Sequence, residues 1–140
     1  MAIRGAKPKP DGQARHRNKV VHPWTVVPNV PFNGAPKLPA RRCNGRPWST
    51  RNRAKWKAWS TMPHCVLWQP ADWSFAIDSL ELAALIHEGD ARPAGELRAR
   101  EKVLATTGDA LRDQRIRYVD PPQDDEAPAA VTNMAAYRDL

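Results

Sequence analysis

Residues 70–89 constrain the fold most, because they read as one helix too apolar to leave a face in water. Pro70 suits the first helical turn, where its missing N–H costs nothing, and Asp72 sits favourably against the helix dipole. Trp73, Ala76, Ile77, Leu80, Ala83 and Ala84 recur at helical spacing and form one apolar stripe. Phe75, Leu82, Leu85 and Ile86 widen it until little of the circumference is polar. Such a helix needs cover on more than one side. Gly89 marks its end as a residue free to take a left-handed cap.

Two further helices are predicted beside it. Ser49 or Thr50 offers a hydroxyl cap to a helix that runs through residues 51–59 and stops before Pro63. Trp56, Trp59 and Met62 fall three apart on one stripe of that helix and leave Arg53, Lys55 and Lys57 largely on its other faces. After Gly89, Asp90 is the predicted cap of a helix starting around residues 91–93, in which Leu97, Leu104 and Leu111 recur at sevens. Gly108 is where this helix is expected to bend or break before residues 109–117. The connection between the second and third helices is short, so they read as a tight antiparallel hairpin.

The flanks differ in kind. Eight of the fourteen prolines lie in residues 1–47 with no apolar periodicity, which predicts an extended or disordered arm. Its short apolar patches, residues 24–27 and 30–32, are expected to lie across the body in polyproline or edge-strand form. Pro23, Pro28, Pro31 and Pro36 argue against a strand of a true sheet. After Val119, Pro121, Pro122 and the run Asp124-Asp125-Glu126 predict a solvated acidic tail. Within that tail, residues 131–137 have the composition of a short partner-bound helix. The expected architecture is therefore all-α: a Pro-rich arm over 1–47, a helical body over 48–118 and a tail over 119–140.

A helical hairpin cannot bury a core alone, since single cores become self-sufficient near roughly 70–80 residues. The spare surface of the second helix is expected to meet another copy of the chain in a cyclic homo-oligomer packed through residues 70–117. Trp73, Ile77, Leu80, Ala84, Leu97, Leu104 and Leu111 are the candidate contacts. The competing arrangement is a monomer whose Trp-rich arm covers the same helix.

Charge placement carries the functional signal. The net charge is +7, but residues 1–60 hold fourteen Lys/Arg and a single acid, Asp11. Residues 61–118 hold seven Lys/Arg and nine acids, and residues 119–140 one Arg and five acids. A basic end on a near-neutral body implies a polyanionic partner, and the acidic end implies a protein partner. Arg41, Arg42, Arg46, Arg51, Arg53, Lys55 and Lys57 fall within seventeen residues, beside Trp48 and Trp56. Cations neutralise phosphates and release counterions, and an aromatic or guanidinium plane stacks on a base. Charge runs commonly serve solubility alone; the near absence of acids over sixty residues weighs here for nucleic acid.

Other chemistries find little support. No run of eighteen apolar residues exists to cross a membrane, and the charged N-terminus lacks the apolar core of a secretory signal. The chain is expected to stay in the cytoplasm where it is made. Cys43 and Cys65 do not make a disulfide framework, and His64-Cys65 with Cys43 and His22 lack the paired spacing of a zinc site. No Gly-rich phosphate loop is present, so neither ATP hydrolysis nor a cofactor is expected. Asp72, Asp78 and Glu81 share a helix without a placed His partner, which leaves nuclease chemistry unsupported. The expectation is a non-enzymatic binding protein.

Several strings carry a resemblance. They are residues 30–36 (Val-Pro-Phe-Asn-Gly-Ala-Pro) with Leu38-Pro39, then Trp56 to Trp59 followed by Met62-Pro63-His64-Cys65, and Trp68 with Ala71-Asp72-Trp73. Downstream come Leu97-Arg98, residues 100–104 with Thr106-Thr107, and residues 115–118. Over about residues 15–122 the chain resembles small terminase subunits of tailed phages that infect actinobacteria. The resemblance implies a non-catalytic ring of helical subunits in the host cytoplasm. Such a ring recognises double-stranded viral DNA and delivers it to the large terminase subunit, the ATPase and nuclease. Many members carry an N-terminal helix-turn-helix, which this sequence lacks, so backbone contact or wrapping is the expected DNA mode. The acidic tail is the expected contact for the large subunit. The alternative class is a free-standing nucleic-acid-binding regulator.

Overall fold

The structure, a computed structural model, describes residues 22–123. Local chemistry sets its helix ends. At Pro70 the central helix begins, and the Asp72 carboxylate accepts the Gln69 backbone N–H at 2.8 Å. At the other end Gly89 takes φ +100°, so that its N–H bonds Ile86 O and the Asp90 N–H bonds Leu85 O, each at 3.0 Å. Those two bonds satisfy carbonyls that the helix would otherwise leave open. The result is α2, Pro70–His87.

Along the chain the elements are β1 (Thr25–Pro28), α1 (Thr50–Ser60), a 3-10 turn (Pro63–Leu67), α2, α3 (Ala94–Val103), α4 (Gly108–Asp113) and β2 (Ile116–Val119). The Ser49 hydroxyl accepts the Asn52 N–H at 3.2 Å, capping α1 where expected. Near the end of α3, Arg100 lies 5.0 Å over the ring of Phe75 near the start of α2. The two helices therefore run antiparallel, as a hairpin requires.

The helix after the hairpin turn departs from expectation at both ends. Asp90 does not cap it: its carboxylate holds Arg92 at 2.9 Å, and α3 starts at Ala94 after Pro93. Nor is Gly108 the break. Ala105 takes the left-handed φ of 55°, closing α3 with a Thr106 N–H to Glu101 O bond of 3.1 Å. Thr107 then caps α4 through its hydroxyl, and Gly108 is the first residue of the new helix. The seven-residue leucine repeat is thus split, with Leu97 in α3, Leu104 at its C-cap and Leu111 in α4.

The core forms where α1 and the chain before it lie on α2. Ala76, Ser79, Leu80, Ala83 and Ala84 are fully buried and present a low surface on which the large rings of Trp48, Trp56 and Trp59 pack. Trp73 is half-buried at the hub of an aromatic cluster, with ring centroids 5.8 Å from Phe32, 6.0 Å from Trp56 and 4.7 Å from Trp68. Phe32 comes from the Pro-rich segment, which is tied to the helices at Phe32 N to Thr61 O, and Trp48, just after that segment, holds it through a side-chain bond from Nε1 to Pro39 O. The covering of α2 by the arm, expected as the competitor of self-association, is present in this fold.

The all-α expectation is corrected by a small parallel sheet. Residues 25–28 of β1 pair with residues 116–119 of β2, Thr25 against Ile116 through Pro28 against Val119. Thr25 N and Asn29 N donate to Arg115 O and Val119 O at 2.8 Å. Alternate residues of β1 thus bond its partner, and Pro28, which lacks an N–H, falls in the outward set and breaks no ladder bond. A two-stranded sheet is marginal on its own. This one is anchored by buried Val27 and by His64, whose Nε2–H donates to Leu104 O at 2.8 Å while Nδ1 accepts from the Tyr118 hydroxyl at 2.5 Å. The arm before residue 22 and the acidic segment beyond residue 123, with its expected short helix, lie outside the described residues.

Candidate nucleic-acid interface

The basic cluster spans two elements, a turn over residues 41–46 and α1. The turn closes through Arg42 N to Arg46 O and Gly45 N to Arg42 O, both 2.9 Å, with Gly45 at φ +79°. Asn44 Oδ1 accepts the Arg46 N–H at 3.0 Å, a local bond that Asn supplies readily in turns. Helix α1 follows after Trp48. It buries Asn52, Trp56, Trp59 and Ser60 and turns Arg51, Arg53 and Lys57 to solvent.

The seven cations of the cluster divide by what they touch. Arg42 is only 5 % exposed; its Nε bonds Glu81 Oε2 at 3.1 Å and its Nη1 bonds Glu88. Burial alone would lower its pKa, but the bonds and charges of the two carboxylates outweigh burial and raise it. Glu81 also accepts the Cys43 N–H at 2.9 Å, so Arg42 and Glu81 together fasten the turn to α2. A phosphate has no access to this guanidinium, and the expectation that Arg42 binds DNA is corrected. Lys55 is half-buried; its Nζ lies 2.7 Å from Glu101 Oε1 and 5.0 Å over the Trp59 ring, joining α1 to α3. Its charge is likewise committed inside the chain.

Arg41, Arg46, Arg51, Arg53 and Lys57 remain exposed. Arg41 donates to Gly45 O at 3.0 Å, which orients it across the turn. Among the described residues none of the five forms an ion pair, and residues 41–60 contain no acid. The local field is positive. It registers on His87, whose pKa is lowered by burial first and then by Arg51 and Lys55, while its Nδ1–H donates to Asn52 Oδ1 at 2.5 Å.

One feature of this surface has no counterpart among the sequence expectations. A groove of about 300 Å³ runs beside α1, lined by Leu38, Pro39, Ala40, Trp48, Arg53 and Trp56. The Trp48 Nε1–H donates to Pro39 O at 2.8 Å and so ties residues 38–40 to one of the two Trp rings that line the groove. Only the closeness of Trp48 and Trp56 to the basic run hinted at it.

The remaining candidates are accounted for by packing. Leu80 and Ala84 are fully buried, and Leu97 and Leu104 nearly so, inside a single chain. They build the core and cannot present a surface to a second copy. Trp73, Ile77 and Leu111 are half-buried. His64 has both ring nitrogens bonded, and its pKa is lowered by burial against a smaller raising effect of Leu104 O. The Cys65 thiol donates to Trp59 O at 3.1 Å and is pushed up to about 12 by burial.

No curated protein and no solved structure matches the chain. A family model described as phage terminase small subunit matches residues 3–140, nearly the whole length, and its match includes both the basic turn with α1 and the helical body. The chain belongs to the phage terminase small subunit family.

Proposed function

We propose that this packaging-related protein is a non-catalytic DNA-recognition and regulatory subunit that holds duplex viral DNA by its backbone. The observation that carries the reading is the set of five exposed cations, Arg41, Arg46, Arg51, Arg53 and Lys57, on a turn and helix without an acid. A rigid α1, capped at Ser49 and pinned by two Trp rings, keeps part of that charge fixed in space, so binding needs little further ordering of the backbone. Arg42 and Lys55 serve by holding the turn and helix in place.

In this reading the chain acts as a homo-oligomer in the host cytoplasm, where repeated copies of the patch add avidity. With Leu80, Ala84, Leu97 and Leu104 used internally, the contacts between copies fall to half-buried Trp73, Ile77 and Leu111 and to Val103, which is 65 % exposed. The large terminase subunit is the second partner, engaged through the acidic residues after 119. Native mass spectrometry of the full chain with a duplex tests this directly: an oligomer carrying one duplex is expected. Isolated single chains that leave the duplex free would refute it.

A further inference from the structure

We infer that His87 couples duplex binding to proton uptake: a phosphate held at Arg51 draws a proton onto its Nε2, so the protein grips DNA more tightly as pH falls. The coupling deepens the DNA reading and rests on it.

His87 stands where the end of α2 meets the cationic helix. Its Nδ1–H donates to Asn52 Oδ1 at 2.5 Å, and Asn52, only 3 % exposed, follows Arg51 in the first turn of α1. With Nδ1 as the donor, Nε2 keeps its lone pair, and among the described residues it meets no hydrogen-bond partner. A proton can therefore enter at Nε2 without breaking the bond to Asn52, and the imidazolium gains a second N–H. His64 differs. Both its ring nitrogens are taken, by the Tyr118 hydroxyl and by Leu104 O, so a second ring proton would cost it a bond.

The surroundings of His87 pull in opposite directions. It lies in the last turn of α2, whose carbonyl end favours a positive charge. Against that stand partial burial and two cations of α1, Arg51 and Lys55, which disfavour the imidazolium. The carboxylates of the adjoining segments are engaged elsewhere: Glu81 and Glu88 by Arg42 of the turn, Asp90 by Arg92, and Glu101 of α3 by Lys55. Of the two cations that face His87, Lys55 is thus paired and Arg51 is exposed to a ligand. A phosphate at Arg51 replaces repulsion by attraction at the ring. A nearby opposite charge changes a proton equilibrium by about tenfold or more, and binding tightens by the same factor once the proton is taken up.

The test follows the full chain with isotope-labelled histidine by NMR from pH 8 to pH 6, with and without a duplex, alongside duplex affinity at constant salt. His87 is expected to titrate at a higher pH in the complex, while His64 keeps its midpoint. Affinity should rise about three- to tenfold over that range in the wild type and less than about twofold in H87N, whose amide still offers Asn52 Oδ1 a donor. A bound His87 that titrates as in the free chain, or an H87N protein with the wild-type pH dependence, would overturn the coupling and leave the DNA reading standing. Equal movement of His64 would mark a change of the whole fold and overturn it too. If the wild type binds no duplex at low salt at either pH, the DNA reading itself falls and the coupling falls with it.

Discussion

Arg42 separates two accounts of the basic cluster, and its replacement by Met distinguishes them. If the cluster is a uniform sheet of charge, Arg42 matters for DNA as much as Arg53. If the fold has sorted the cations, Arg42 matters for stability alone. Its side chain is 3 % exposed and bonds both Glu81 and Glu88, so R42M removes two charge-assisted contacts and leaves Glu81, itself 18 % exposed, without its partner. A hydrogen bond to a charged group contributes about 1.5–3 kcal/mol. Glu88 is 43 % exposed and regains water, which lowers its share. We therefore expect a loss of about 2–4 kcal/mol in all. For a fold of this size that corresponds to a fall in Tm of about 10–20 °C. Thermal unfolding followed by circular dichroism measures the fall. Duplex binding well below the new Tm should keep the wild-type salt dependence. R53A should do the reverse, leaving Tm in place and weakening DNA binding. An R42M chain with unchanged Tm and reduced DNA affinity would refute the sorting argument.

The buried polar groups set further outcomes. His64 has a folded-state pKa below its ordinary 6.5, so the unfolded chain takes up the proton first as pH falls. Stability should therefore be flat above pH 6.5 and decline below it, by up to about 1.4 kcal/mol per unit from this group; His87 acts in the same direction. Y118F should cost about 1–2 kcal/mol in urea unfolding, because His64 Nδ1 loses its donor in a buried site. At pH 8 a thiol reagent should label exposed Cys43 in the native protein and reach Cys65 only after denaturant is added.

The fold was most legible where helix signals were local. Pro70, Asp72 and Gly89 bracket α2 in the structure as in the sequence, and Ser49 caps α1. The errors arose where tertiary context overrode propensity. Gly108 looked like the breaker, yet buried Ala105 accepts a left-handed turn that costs about 1–2 kcal/mol, and the Thr107 hydroxyl caps α4. The parallel strands could not be read locally, since Thr25 and Ile116 lie about ninety residues apart and Pro28 spoils the strand signature on the edge where its missing N–H is harmless.

The candidate site was legible as a basic region and not residue by residue. Composition located residues 41–57, but spacing could not tell Arg42 from Arg41, because the carboxylates that claim Arg42 come from α2 some forty residues on. The leucine heptad misled for a related reason. A periodic apolar stripe states that a face is covered, and here Leu97 and Leu104 share one core cluster with Trp48, Trp56 and Trp59 of the same chain.

The central claim is that exposed cations on α1 and its preceding turn hold the phosphate backbone. Its most direct measurement is the salt dependence of duplex binding by the full chain against a variant with R46Q, R51Q, R53Q and K57Q. Each phosphate contact contributes about −0.9 to the slope of log K against log salt, so the variant should be shallower by about 3.6 per engaged protomer. Equal slopes for the two proteins would place the contact elsewhere on the chain and contradict the account.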